Sequence, residues 1–212
     1  MISDKSPNMK TFLLRLIRAI TYLFQYFFIE LPKGLDFSLR DKNSISFQGS
    51  NGYALTSKAA LRNIFQYLPF GINYKSLIDI GSGKGGVICY AKQLGFKTCL
   101  GVEYERHLHE IATKNIERLN LQKSVFSLNL DARSFEQYDT YDVYFLFNPF
   151  DSDIYEQVIN CITAQAKNEK HLIAYGKAND DVLVRSGFRE IHRSTCPYRN
   201  NSIKIYEYKK VN

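Results

Sequence analysis

Apolar and polar positions along the chain follow two periods, which predict strands and helices in turn. Short apolar runs predict strands near Leu77, Leu100, Val125, Val143 and Ile173. Apolar positions three and four residues apart predict helices at 56–67, 86–94, 105–119 and 153–166. Because strands and helices alternate, we expect a mainly parallel sheet with helices on both faces.

The C-terminal part breaks this alternation. After a short predicted helix at 180–185, strand-like runs at 188–193 and 202–208 are separated only by turn-forming residues. Two strands joined in this way predict an antiparallel hairpin. The fold class is therefore α/β and Rossmann-like, with a mainly parallel seven-stranded sheet that ends in an antiparallel hairpin.

The most hydrophobic stretch, residues 11–31, lies ahead of this α/β region. Its longest uncharged run, 19–29, is too short to span a bilayer, and no small-residue cleavage site follows to indicate a signal peptide. A helix here has one polar stripe, formed by Arg15, Arg18, Tyr22 and Gln25. The remaining apolar face needs a partner. We favour packing on the domain or self-association with a second copy over contact with a membrane surface.

Two regions follow from these patterns. Residues 1–51 form an N-terminal amphipathic helix and a polar lead-in segment, and residues 52–212 form one α/β domain. A chain of 212 residues suffices for one such domain but not for a separate substrate-binding domain.

Composition narrows the compartment and the partners. The chain is 45% hydrophobic and 23% charged, as in ordinary globular proteins. Its four cysteines are scattered, so neither a disulfide framework nor a zinc site is indicated, and we expect a cytoplasmic protein, either free or peripheral at a membrane. The net charge of +7 favours acidic partners such as nucleic acid, anionic lipid or acidic protein.

The candidate chemistry centres on a glycine loop between the first strand and the following helix. Gly81, Gly83 and Gly85 can adopt positive φ, and we expect them to let backbone N–H groups approach a ligand that a side chain would keep away. The loop also fits the dinucleotide pattern G-x-G-x-x-G, with Glu103 at the end of the second strand. Asp79 places a carboxylate beside the loop, which suits a cationic ligand better than a pyrophosphate. S-adenosylmethionine is such a ligand, because it carries a sulfonium and an ammonium.

The run DIGSGKGG at 79–86, followed by GVEYERHLHEIATKNIERL, resembles the class I S-adenosylmethionine-dependent methyltransferases. The resemblance implies their fold, with an N-terminal helical extension here, and S-adenosyl-L-methionine as cofactor. It implies that Asp79 and the loop hold the methionine part, that Glu103 binds the ribose and that Asp131 binds the adenine. The implied cofactor-binding set is Tyr53, Thr56, Asp79, Gly81, Ser82, Gly83, Glu103, Asp131, Ala132 and Asn148. Asp131 also fits a helix N-cap, and we expect Lys84 to be a solvated loop lysine.

A second motif, Asn148-Pro149-Phe150, follows the fourth strand. Pro149 biases Asn148 toward an extended backbone, so its amide can accept a hydrogen bond from a substrate N–H while Phe150 offers a flat ring. The motif resembles the Asn/Asp-Pro-Pro-aromatic motif of amine-directed methyltransferases, although it has one proline instead of two. A rigid turn with Asp151 or Ser152 as helix N-cap is the structural alternative.

Together the motifs resemble a small bacterial-type group of class I methyltransferases with DxGSGKG and FNPF, whose sheet topology is similar to that of non-SET lysine methyltransferases. The sequence thus predicts an enzyme that methylates an amine of a protein, nucleic acid or small molecule. Its catalytic residues would be Asn148, Pro149 and Phe150, and no metal is expected. A non-catalytic S-adenosylmethionine-binding scaffold and an NAD-dependent oxidoreductase remain as alternatives.

Overall fold

The computed structural model describes residues 13, 16, 17, 20, 21, 23–38, 55–197 and 201–210. Strands β1 to β7 are Ser76–Ile80, Thr98–Glu103, Val125–Asn129, Val143–Leu146, Lys170–Tyr175, Phe188–Thr195 and Ser202–Tyr208. From residue 55 onward, α-helices α1 to α5 are Lys58–Phe65, Gly86–Leu94, Arg106–Arg118, Ser152–Gln165 and Asp180–Arg185. The predicted boundary at residue 51 lies outside the described residues.

The strands form one sheet in the order β3-β2-β1-β4-β5-β7-β6. β1 to β5 pair in parallel, whereas β7 pairs antiparallel with both β5 and β6. The predicted seven-stranded sheet with a C-terminal hairpin is confirmed. The helix predicted at 56–67 begins later, at Lys58, because Ser57 is its N-cap and accepts a hydrogen bond from the Ala60 amide.

The sheet separates two hydrophobic cores, because successive side chains of each buried strand point to opposite faces. On one face, Leu77 of β1 and Phe145 of β4 pack with α1, α2 and the end of α3. On the other face, Ile78 and Tyr144 pack with α4 and α5. Asp79 follows Ile78 in the strand and therefore faces the same side as Leu77 and α2.

Residues 30–38, called here the N-terminal strap, tie the start of the chain to the domain. Glu30 is buried, and its Oε2 accepts hydrogen bonds from the amides of Phe37 and Ser38 at 3.0 and 2.9 Å. Leu35 and Phe37 are buried in the core on the α2 face. The strap is therefore part of the folded domain.

The helix before the strap is α-helical at its described residues between 13 and 24 and π-helical at Gln25–Glu30, and it leaves its apolar side chains exposed. About half or more of the surface is exposed in these described apolar residues: Leu13, Leu16, Ile17, Ile20, Leu23, Phe24, Phe27, Phe28, Ile29 and, at the start of the strap, Leu31. Gln25, from the predicted polar stripe, contacts the domain, where its Nε2 donates to the Tyr90 hydroxyl at 3.0 Å. The expectation that the apolar face packs on the domain is therefore wrong for these residues. None of the described helices has the length and hydrophobicity to cross a bilayer.

Candidate active site

The carboxyl ends of the parallel strands form a crevice where the strand order reverses. β1 lies between β2 and β4, so the chain leaves β1 toward one side of the sheet and later returns on the other. Ligands of open α/β sheets bind at such a switch point. The glycine loop after β1, Glu103 at the end of β2 and Asn148 after β4 all lie at this edge.

The glycine loop has the backbone geometry that its sequence predicts. Gly81, Gly83 and Gly85 have φ angles of 81°, 54° and 78°, in the left-handed region that favours glycine. Four amides of the loop already donate hydrogen bonds to acceptors within the protein. The amides of Gly81 and Ser82 donate to the Val102 carbonyl, that of Gly85 donates to the Ser82 carbonyl, and that of Gly83 donates to Glu103. These four N–H groups are therefore not directed at a ligand phosphate.

Two carboxylates flank this loop. Asp79 is 3% exposed and Glu103 is 7% exposed. Glu103 accepts from the Gly83 amide at 2.7 Å and from the Glu105 amide at 2.8 Å, one bond to each carboxylate oxygen. Among the described residues, no donor makes a hydrogen bond to the Asp79 carboxylate.

The two carboxylates also affect each other's electrostatics. Burial raises the pKa of Asp79 well above its usual range, and the neighbouring Glu103 charge raises it further. Burial likewise raises the pKa of Glu103, although its hydrogen bonds from the Glu105 and Gly83 amides oppose that effect. No basic residue contributes to either shift. Among the described residues, no cation compensates these two carboxylates, so the pocket suits a positively charged ligand.

Two hydroxyl groups beside the loop also lack protein partners. Thr56 and Ser82 are 1% and 5% exposed, and neither side-chain oxygen has a hydrogen-bond partner within the described part of the chain. Leu55 packs so closely over the first turn of α2 that a Cβ at Gly86 would lie 2.6 Å from its Cδ1. Leu55 thus lies over the start of α2, and Thr56 follows it in the chain. The predicted role of Thr56 at the cofactor stays a prediction. Tyr53 lies outside the described residues.

Asp131 and Ala132 follow β3 at the same edge. The Asp131 carboxylate caps the 3₁₀ turn Ala132–Ser134 by accepting from the Arg133 amide, and it also pairs with the Arg133 guanidinium at 2.6 Å. These contacts hold the pKa of Asp131 below its usual range. The N-cap interpretation of Asp131 is correct. To bind the adenine as well, the Asp131 carboxylate would have to accept a hydrogen bond from the ligand while it keeps its contacts with Arg133.

The Asn148-Pro149-Phe150 motif packs directly on the glycine loop. A Cβ at Gly81 would lie 2.6 Å from the Pro149 Cβ, and a Cβ at Gly176 would lie 2.8 Å from the Asn148 amide. The expectation of an extended backbone at Asn148 is wrong, because its φ is 45°. Asparagine tolerates this left-handed conformation better than most residues, which here outweighs the bias from Pro149.

Lys84 is the main residue that sequence reasoning misjudged. It is 2% exposed, and its Nζ pairs with Asp36 of the strap at 2.8 Å. Asn115 of α3 joins the same contact, because its amide donates to the carbonyls of Asp36 and Lys84. The strap thus closes over the outer side of the glycine loop. Asp36 and Lys84 are far apart in the sequence, so no local sequence pattern predicts that they pair.

One group outside the crevice has metal-ligating side chains. Within the described residues, the candidate ligand atoms of Glu169, His171 and Glu207 lie within 4.8 Å of one another. Lys209 Nζ already lies 3.2 Å from Glu169 and 3.3 Å from Glu207, where it supplies a positive charge. His171 is at the amino end of β5, so this group lies at the opposite edge of the sheet from the glycine loop.

Comparisons with known proteins support the fold. No family model matches the chain, and no curated protein matches its sequence. An RNA methyltransferase from Salinibacter ruber, solved in complex with S-adenosyl-L-homocysteine, has a TM-score of 0.59 and 13% identity, over 75% of this chain and 97% of that one. Ribosomal protein L11 methylase from Lactobacillus delbrueckii subsp. bulgaricus has a TM-score of 0.56 and 15% identity, over 72% of this chain and 77% of that one. With its seven-stranded sheet and C-terminal hairpin, the chain therefore has the class I S-adenosylmethionine-dependent methyltransferase fold.

Proposed function

We propose that the protein is an S-adenosylmethionine-dependent methyltransferase. The observation that carries the proposal is the buried pair Asp79 and Glu103, which flanks a glycine loop and has no compensating cation in the part of the chain that the structure describes. A ligand with an ammonium and a sulfonium supplies the missing positive charge. The pyrophosphate of NAD would instead meet two carboxylates and a loop whose amides at 81–83 and 85 are already bonded within the protein.

The remaining polar groups fit the same cofactor. Each Glu103 oxygen keeps a lone pair after its backbone contact, so both can accept from vicinal ribose hydroxyls. Asp79 would hold the ammonium group, and the buried hydroxyls of Thr56 and Ser82 would gain partners at the ligand. When bound, the cofactor would supply an electrophilic methyl group on a sulfonium.

The protein's part in the reaction is then to position groups. Methyl transfer needs a neutral acceptor in line behind the methyl carbon. The bound cofactor would give up its methyl group to the acceptor, and its sulfur would keep the electron pair of the broken carbon–sulfur bond. Little acid or base catalysis is required, so alignment by the strand ends supplies much of the rate.

We propose that the acceptor atom is an amino nitrogen. The packing of Pro149 on Gly81 supports this, because it holds the motif against the cofactor loop, and Asn148 packs on Gly176 after β5. The Asn148 amide oxygen would accept a hydrogen bond from the acceptor N–H, with the half-buried Phe150 beside it. The net charge of +7 favours acidic acceptor molecules.

Calorimetric titration tests the cofactor. We expect the full-length protein to bind S-adenosylmethionine and S-adenosylhomocysteine and not NAD. Glu103→Gln should weaken S-adenosylhomocysteine binding about tenfold or more, because one carboxylate acceptor becomes an amide donor. Glu117→Gln is the matched control, since Glu117 is exposed on α3. NAD binding, or normal affinity in Glu103→Gln, would contradict the assignment.

Transfer of a labelled methyl group tests the acceptor. The protein is incubated with methyl-labelled S-adenosylmethionine and separate fractions of protein, RNA and small amines, and the labelled atom is identified by mass spectrometry. A methylated nitrogen supports the amine proposal, and a methyl ester or a methylated carbon rejects it. Cofactor binding with no transfer to any fraction would favour the non-catalytic scaffold.

A further inference from the structure

The helix before the strap presents a continuous apolar surface to solvent. We define the N-terminal apolar face by the described residues Leu13, Leu16, Ile17, Ile20, Leu23, Phe24, Phe27, Phe28 and Leu31. From Leu13 to Phe24, their spacings of one, three and four residues place them on one side of an α-helix. Phe28 continues this side in the π-helix Gln25–Glu30, because its ring stacks on that of Phe24. Exposure ranges from 46% at Leu16 to 69% at Phe28. An exposed apolar patch of this extent marks an interaction site.

The orientation of the helix is held by its polar side. Gln25 Nε2 donates to the Tyr90 hydroxyl of α2 at 3.0 Å and to Glu30 Oε1 at 2.7 Å. Glu30 is in turn buried against the amides of Phe37 and Ser38. Turning the N-terminal apolar face toward the domain would break these contacts. The face is therefore directed away from the domain, toward a separate partner.

The charges of the segment identify the kind of partner. The sequence has cations at Lys5, Lys10, Arg15 and Arg18 and no acidic residue from position 5 to position 29. Glu30 is buried and does not add negative charge to the outer surface. A second copy would bring the same cations to the contact, whereas an anionic lipid surface would neutralise them.

The size and composition of the face also fit a lipid surface. Three phenylalanines lie on it, and the rings of Phe24 and Phe28 stack at 4.8 Å between centroids. Leucine and phenylalanine on one face with lysine and arginine elsewhere are typical of helices that lie in the membrane interface. The uncharged run 19–29 is too short to cross a bilayer, so the helix would lie flat along the surface.

We propose that the N-terminal apolar face binds the surface of anionic membranes, with the methyltransferase-like domain held above it through the Gln25 and Glu30 contacts. This inference is independent of the identity of the cofactor and of the methyl acceptor.

Vesicle co-sedimentation of the full-length protein tests the proposal. The probes are vesicles of phosphatidylcholine alone and of phosphatidylcholine with about one-third phosphatidylglycerol. We compare the wild type with Phe24→Glu/Phe28→Glu. The control is Tyr74→Glu/Val184→Glu, which adds the same charges at sites that are 88% and 62% exposed on the domain. All replaced side chains are exposed, so thermal unfolding midpoints should stay within about 2 °C of the wild type.

We expect the wild type and the control to sediment with the anionic vesicles, and binding to weaken as salt rises from about 0.05 to about 0.5 M. Phe24→Glu/Phe28→Glu should reduce the partition coefficient by about tenfold or more, because two apolar rings no longer enter the interface. Wild-type protein that stays in the supernatant, or equal binding by both double variants, would overturn the proposal. A dimer in light scattering that only Phe24→Glu/Phe28→Glu dissociates, without vesicle binding, would assign the face to a second copy.

Discussion

Gly81 meets two separate constraints at the residue scale. Its φ of 81° lies in the left-handed region, and a Cβ there would lie 2.6 Å from the Pro149 Cβ. A side chain would both strain the backbone and push the Asn148-Pro149-Phe150 motif away from the loop. The glycine is therefore needed for the contact between the two motifs of the candidate site.

Gly81→Ala should lower the free energy of unfolding by about 1–3 kcal/mol and weaken S-adenosylhomocysteine binding. Urea unfolding and calorimetry measure the two effects. Gly71→Ala is the matched control, because Gly71 has a φ of −70° and open space where the Cβ would lie. It should change stability by less than about 0.5 kcal/mol. Equal effects of the two substitutions would show that the Pro149 contact is unimportant.

Single residues also show where sequence reasoning succeeds and fails. Asp79 and the positive-φ glycines follow from local sequence, because a strand, a glycine loop and a helix in succession leave few backbone solutions. The burial of Lys84 depends on Asp36, which is distant in sequence, so no local pattern predicts it. At Asn148 the bias of a residue before proline toward an extended backbone conflicts with the tolerance of asparagine for the left-handed region. Asn148 adopts the left-handed conformation, and its side chain packs on Gly176.

At the scale of elements, Asn115 joins α3, the strap and the glycine loop. It is fully buried; its Oδ1 accepts from the Asp36 amide, and its Nδ2 donates to the carbonyls of Asp36 and Lys84. Each bond satisfies a backbone group of a segment that has no regular structure. One side chain on a rigid helix thus holds two irregular segments in place.

Asn115→Ala should lower the free energy of unfolding by about 2–4 kcal/mol, because it leaves three backbone polar groups without their partner. Hydrogen exchange should increase at the amides of Asp36 and nearby strap residues. Asn160→Ala on α4 is the control, since Asn160 is exposed and should tolerate the change. Unchanged exchange in the strap would mean that its other contacts, such as those of Glu30 and Lys84, hold it without Asn115.

Elements of the α/β region were predictable because each carries its own signal. α2 and α5 have the predicted bounds, since a glycine loop and an Asn N-cap mark their starts. The environment of the N-terminal helix was not predictable in this way. Its amphipathic pattern shows that the apolar face needs a partner, but it does not show which surface is that partner. Gln25 and Tyr90 decide the orientation through one long-range hydrogen bond, which the periodicity of the helix cannot reveal.

At the scale of the whole molecule, the parallel sheet brings Asp79 and Glu103 together, and no cation among the described residues compensates them. Both pKa values are raised, so their ionised forms destabilise the folded state without ligand. A fold selected only for stability would place a neutral or paired residue at these strand ends. The retained charges indicate that a ligand completes the site, which links the stability of the whole molecule to ligand binding.

The destabilisation of the folded state by the ionised Asp79 carboxylate gives a pH-dependent prediction for Asp79→Asn. Because the folded-state pKa of Asp79 is raised, the folded protein binds this proton more tightly than the unfolded chain does, and wild-type stability falls as pH rises from about 3.8 through the folded-state pKa. The asparagine variant does not ionise. It should therefore melt at least about 2 °C above the wild type near neutral pH, and this difference should vanish below about pH 3.5.

Thermal melts across pH, with and without S-adenosylhomocysteine, measure both consequences of Asp79→Asn. The ligand should raise the melting temperature of the wild type and of Glu117→Gln but not that of Asp79→Asn, because the variant lacks the carboxylate for the ammonium group. A variant less stable than the wild type at neutral pH would show that the Asp79 carboxylate makes a stabilising contact in the free protein. The cationic-ligand argument would then lose its basis. We expect a variant to melt higher without ligand and to lose its shift with ligand only where the replaced charge serves ligand binding.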